Sequence, residues 1–176
     1  MNEYSGVFWV DASVQFLSNR EDLLTRAALE RGGFGIFHRI GYSPVWHTHP
    51  GMYKYLPTDL TLLKLQTAIP SAGYILVYRT REVLDEVFNW NVLCSLTADC
   101  IAPPGSLALP NFRRTKNLRD WAGIHRYDQA SMDILLFNYY MKRGFEYRSR
   151  DYIGKILAHR GNKKFGRLRT CSSTSN

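Results

Sequence analysis

The chain is short of the features that fix a protein's class at a glance. Among its 176 residues no apolar run reaches the roughly 18 that a membrane-spanning helix needs. The first residues lack the basic-then-apolar layout of a secretory leader, so the chain as it stands reads as soluble. Cysteine is sparse: Cys94, Cys100 and Cys171, with no C-x2-C spacing of the kind a zinc site uses. Cys94 and Cys100 are near enough to bridge in an oxidising compartment, but three cysteines do not fix the compartment. No internal repeat is present.

Acids are scarce at one end only. Ten of the 23 Lys and Arg residues lie from Lys142 onward, against Glu146 and Asp151, so the tail carries the whole net charge of +8. A basic tail on a neutral body argues less for nucleic acid than a basic domain does. Ligand phosphates, an acidic partner, a membrane surface or plain solvation explain it as well. What the chain does have is 45% hydrophobic and 14% aromatic residues, the composition of a folded domain.

Near the start, Val7-Phe8-Trp9-Val10 reads as a buried strand that ends abruptly in Asp11-Ala12-Ser13. An acid at the carboxyl end of a strand is placed to meet a ligand in an open α/β sheet. The plainer reading is that Asp11 caps a turn or the next helix. Asn19 to Glu30 follows as a helix capped by Asn19, with Leu23, Leu24, Ala27 and Ala28 on one face and Gly32-Gly33 as its stop. Phe34 to Phe37 is a second strand, so the opening reads as a β-α-β unit of a parallel sheet.

The stretch from Gly41 to Thr58 is irregular and carries Trp46, His47, His49, Met52, Tyr53 and Tyr55. Such a loop reads either as a binding loop or as loop packing. The His47-x-His49 pair, with His38 upstream, has no clustered acid or thiol to complete a metal site. Asp59 to Gln66 is a short helix, and Tyr74 to Tyr78, led in by Ser71-Ala72-Gly73, is the clearest strand. Thr80 caps a helix with Val83, Leu84, Val87 and Phe88 on one face, running towards Cys94. Residues 101–119, with Arg113, Arg114, Lys116 and Arg119, read as a surface loop.

His125-Arg126-Tyr127-Asp128-Gln129 introduces the strongest helix, where Met132, Leu135, Leu136, Tyr139 and Tyr140 recur at helical spacing and Gly144 ends the run. Asp128 falls at the cap position. So polar an entrance exceeds what a cap requires. Tyr147 to Ile153 reads as a last strand. Residues 1–158 are expected to form one α/β domain, with 159–176 a basic and then disordered tail.

Four blocks occur in order: Phe8 to Ser13, His49 to Pro57, Cys94 to Pro103, and His125 to Gln129. Together they resemble an animal domain family of unknown function, much expanded in worms. The layout also resembles the retaining glycosyltransferases of the GT-A fold. That resemblance implies a partial GT-A-like mixed sheet flanked by helices, the chain being the C-terminal portion of the fold. It implies transfer of a sugar from a nucleotide-sugar donor to a glycan or protein acceptor, in the secretory pathway or Golgi lumen.

By the same resemblance, Asp11 with Ser13 and, further on, His159 would hold Mn²⁺ or Mg²⁺. Ser13 is a hydroxyl where the second carboxylate of the metal motif would stand. Ala72, Gly73, His125, Arg126 and Lys163 would bind the donor, and Asp128 with Gln129 would act on the sugar. Departing diphosphate charge calls for a hard cation or for Arg and Lys. The alternative is a non-catalytic carbohydrate- or protein-binding module on the same scaffold, using the aromatic loop from Trp46 to Tyr55. A nucleic-acid binder using residues 142–169 ranks last.

Overall fold

A computed structural model of the chain describes residues 4–12, 14–16, 21–108, 117, 119–145 and 157–158. Its main sheet has three strands, β1 (Gly6–Val10), β4 (Ala68–Tyr78) and β3 (Phe34–Ile40), in the order β1-β4-β3. A minor pair joins β2 (Gln15–Phe16) to β5 (Leu157–Ala158). β4 runs antiparallel to both of its neighbours. β1 and β3 therefore point the same way, as a β-α-β unit requires, yet they do not pair. The expected parallel ladder is replaced by a mixed α/β arrangement in which β4 is wedged between them.

Helix α1 (Glu21–Glu30) makes the crossover and ends as its glycines foretell. Gly33 N–H donates to the Ala28 carbonyl at 2.8 Å and Gly32 N–H to Leu29 at 3.2 Å, with φ of +99° and +74°. This double bond pattern needs left-handed residues, which glycine supplies without a Cβ penalty.

Alternation along β4 assigns its two faces. Tyr74, Leu76 and Tyr78 join Leu24 and Ala28 of α1 on one side. Ile75 and Val77 join Phe34 and the larger core on the other. That core is built on α6 (Tyr127–Lys142), whose Ala130, Ile134, Leu136, Phe137 and Tyr140 are all buried. The helix is enclosed on more than the one face its spacing predicts, as befits a central helix. It stops at Gly144, φ +66°, where Phe145 N–H returns to the Tyr140 carbonyl at 3.0 Å.

Between β4 and α6 lies a helical rod. It begins as α3 (Arg81–Val83), passes through a π-helical turn (Leu84–Phe88) and continues as α4 (Asn89–Leu96). Thr80 caps it, accepting the Val83 N–H at 3.2 Å. A short α5 (Ala98–Ile101) then brings Cys100 back onto Cys94, and the two form a disulfide. The other short helix, α2 (Leu60–Leu65), lies within the expected span, and Asp59 proves to be its cap.

Two further readings of the sequence change here. β1 is an edge strand among the described residues, with Val7 and Trp9 exposed, Trp9 by 61%. A run that is apolar at every position hides which face is covered. Asp128 is not the cap of α6, which is Arg126, with no side-chain cap bond. Tyr127 enters the helix at φ +40°, and Asp128 is exposed one residue further in. Asn19 and the strand read at Tyr147 to Ile153 fall outside the described residues. No helix among the described residues is long and apolar enough to cross a membrane.

Candidate functional site

Four of the residues singled out by the sequence, Asp11, Gly73, Arg126 and Gln129, gather at one irregularity in β4. Ile36 faces Ile75 and His38 faces Pro70, so two steps along β3 span five along β4. The surplus falls on Ser71, Ala72 and Gly73, just past the last β1 pair, Val10 with Tyr74. Bulges of this kind re-aim a strand and recur beside functional sites. Small residues let another group approach the backbone closely.

Asp11 borders the bulge on one side. Its N–H donates to the Gly73 carbonyl at 2.8 Å, and its own carbonyl accepts from Val14 N–H at 2.9 Å. The turn expected at Asp11 and the strand-end acid are thus the same feature. α6 borders the bulge on the other side. Gln129 donates from Nε2 to the Pro70 carbonyl at 2.6 Å, and its Oε1 accepts from Arg126 Nε at 3.1 Å. Both ends of the Gln129 amide are engaged, which makes it a strut between helix and strand. Asp128 stands beside it, exposed, at the N-terminus of the helix.

His125 does something else. It is fully buried, its Nδ1 accepts the His49 N–H at 3.1 Å, and its Nε2 lies 3.0 Å from the Ile101 carbonyl. An accepting Nδ1 leaves the proton on Nε2, so the ring is neutral and donates to Ile101. Burial pushes its pKa below the usual value, in the same direction. His125 thereby ties the segment entering α6 to the aromatic loop and to the disulfide-bearing turn.

That loop is part of the core. It forms two short 3₁₀ turns, Pro44–His47 and Pro50–Lys54, and buries Val45, His47, Thr48 and Met52. Its backbone is held from the α6 side, where Ala122 N–H donates to Trp46 at 2.9 Å and Arg126 N–H to His47 at 3.0 Å. His49 Nδ1 caps the second turn at Gly51 N–H, 3.0 Å away, and its ring meets Trp121 edge-on at 4.8 Å. His47 Nε2 sits 2.9 Å from Asp133 Oδ2, both side chains being almost wholly enclosed. The two atoms touch without the alignment of a hydrogen bond. Nothing in the sequence pairs these two. The available signal was Asp133 itself, an acid in the middle of an apolar helix.

Ser13, His159 and Lys163 lie outside the described residues, as does the Ala72 side chain. Among the described residues no three His, Cys, Asp or Glu groups gather as a metal site would need. Asp11 supplies one hard oxygen donor. That fits the way Mg²⁺ is often held, by one or two carboxylates plus the phosphates of a substrate. Compared with known proteins, no family model, no curated protein and no solved structure matches the chain.

Proposed function

We propose that this is a glycosyltransferase-like domain of GT-A type, binding a nucleotide-sugar donor at the Ser71–Gly73 bulge of β4. The observation that supports this reading is the bracketing of that bulge by Asp11 from β1 and by Gln129 and Arg126 from α6. A strand-end acid, a small-residue break and a polar helix entrance stand together as such a donor site requires. Asp11, with Ser13 and His159, would hold Mn²⁺ or Mg²⁺, which neutralises diphosphate charge when bound. Asp128 would present its carboxylate to the sugar, orienting hydroxyls or facing the positive charge that develops at the anomeric carbon. Gln129 and Arg126 act as positioning residues, and His125 acts one step further back by fixing the segment they belong to. Lys163 would meet the diphosphate. In transfer, the bond from the anomeric carbon to the diphosphate oxygen breaks, a bond to the acceptor oxygen forms, and the acceptor hydroxyl's proton leaves with the diphosphate. The Cys94–Cys100 bridge supports an oxidising compartment such as the secretory pathway.

The test is calorimetric titration of UDP and GDP, each with Mn²⁺, into the wild-type chain and into Asp11→Asn and Asp128→Asn. We expect one nucleotide to bind, Asp11→Asn to weaken it at least tenfold, and Asp128→Asn to keep binding while losing sugar transfer. Absence of nucleotide binding by the wild type, or binding indifferent to Asp11, would overturn the reading.

A further inference from the structure

A separate cleft of about 290 Å³ opens where the chain leaves β3 and enters β4. Gly41 N–H donates to the Thr67 carbonyl at 2.8 Å, closing the base of the ladder there. Tyr42 lines the cleft, and its ring is backed by Trp46 at a centroid distance of 5.4 Å. Gln66 and Thr67 line it from the lead into β4, and Asn117 and Arg119 from the segment before Trp121.

These polar groups are set in place by their neighbours. Gln66 Nε2 donates to the Leu62 carbonyl at 3.0 Å, which leaves its Oε1 to accept. Asn117 accepts the Arg119 N–H through Oδ1 and donates through Nδ2 to Asp120, each at 3.0 Å. That turn fixes the Arg119 backbone while its side chain stays exposed. Among the described residues the lining holds one guanidinium and no carboxylate, since Asp120 is outside it and engaged by Asn117.

We propose that this cleft binds a uronate, a sugar residue carrying a carboxylate, with its ring against Tyr42 and its carboxylate on Arg119. An aromatic face offers flat apolar area to the C–H face of a pyranose. Thr67 and Gln66 offer a hydroxyl and an amide oxygen as partners for ring hydroxyls. The planar guanidinium matches a carboxylate two bonds at a time. Uronate binding needs neither donor nor metal, so it stands or falls apart from the transferase reading.

The experiment is calorimetric titration with three probes. They are a tetrasaccharide alternating glucuronate and N-acetylglucosamine, a neutral N-acetylglucosamine tetrasaccharide, and acetate as a bare carboxylate. The acidic tetrasaccharide should bind at least tenfold more tightly than either of the others. Arg119→Gln should erase that preference, and Tyr42→Leu should weaken the acidic tetrasaccharide several-fold. Arg119 is exposed, so its variant should melt with the wild type, which keeps the test independent of folding. Failure of the acidic probe to bind, equal binding of the neutral one, acetate binding as tightly, or indifference to Arg119→Gln would each overturn the proposal.

Discussion

Two aromatic-rich stretches of this protein have opposite fates. β1 has regular secondary structure and a full ladder to β4, yet it shows Val7 and Trp9 to solvent. The segment from Pro44 to Leu56 has only 3₁₀ turns, yet its Val45, His47, Thr48, Met52 and Leu56 are buried. Regularity is therefore not what decides burial here. An irregular backbone can enter a core only if its polar groups find partners. The loop finds them in His125 and in the N–H groups of Ala122 and Arg126, while Asp133 lies against the His47 ring. β1 needs no such help, because its ladder faces one neighbour and water the other.

The hardest blow to the loop should come from Asp133→Ala. It leaves the enclosed His47 ring without its polar neighbour and opens a void beside it, together worth about 2–5 kcal/mol. Urea unfolding should show that loss; a change under about 1 kcal/mol would mean that the contact carries little. Next comes His125→Ala, which removes the partners of the His49 N–H and the Ile101 carbonyl, for roughly 2–4 kcal/mol.

His125 also gives the comparison a pH axis. Burial lowers the pKa of His125, and of His49, from the ordinary 6.5. On acidification the unfolded chain takes up these protons first, so stability is full above about pH 6.5 and drains as pH falls below it. Unfolding measured from pH 7.5 down to 5 should show that slope, and His125→Gln should reduce it, leaving the share of His49. A slope unchanged in His125→Gln would remove His125 as its source.

A smaller effect is expected at Glu86, where the Arg143 guanidinium, helped by Lys142, holds the carboxyl down at about 2. A depressed carboxyl stabilises above its unfolded value of about 4.5 and loses that contribution as pH falls towards 2. Screening at this partly exposed pair limits Glu86→Gln to about 1 kcal/mol at pH 7, a gap that should close near pH 2 and shrink in salt. Smallest of all is Trp9→Thr on the outer face of β1, within about 0.5 kcal/mol in either direction. A large loss there would mean that something covers that face.

Local signals carried through where a single element decides the outcome. Gly32-Gly33, Asp59, Thr80, Gly144 and the α6 repeat each work through neighbours a turn away, and each appears where the spacing puts it. Pairings across the chain were another matter. No local pattern tells β4 to part β1 from β3, or His47 to meet Asp133. Of the candidate site, Asp11, Arg126 and Gln129 drew notice because each stands at the end or beginning of an element, and Gly73 because it is small. The site's organising feature was not legible, since a bulge is a mismatch between two strands and exists in neither alone.

The π-helical turn at Leu84–Phe88 sets the phase of everything after it. Each residue advances an α-helix by about 100°, so the turn's extra residue dials the following segment round until Cys94 looks inward. The disulfide spans only the six residues to Cys100, so it travels with the rod: a one-residue deletion in the turn would keep the bond and swing Cys94 and Cys100 together out of the core.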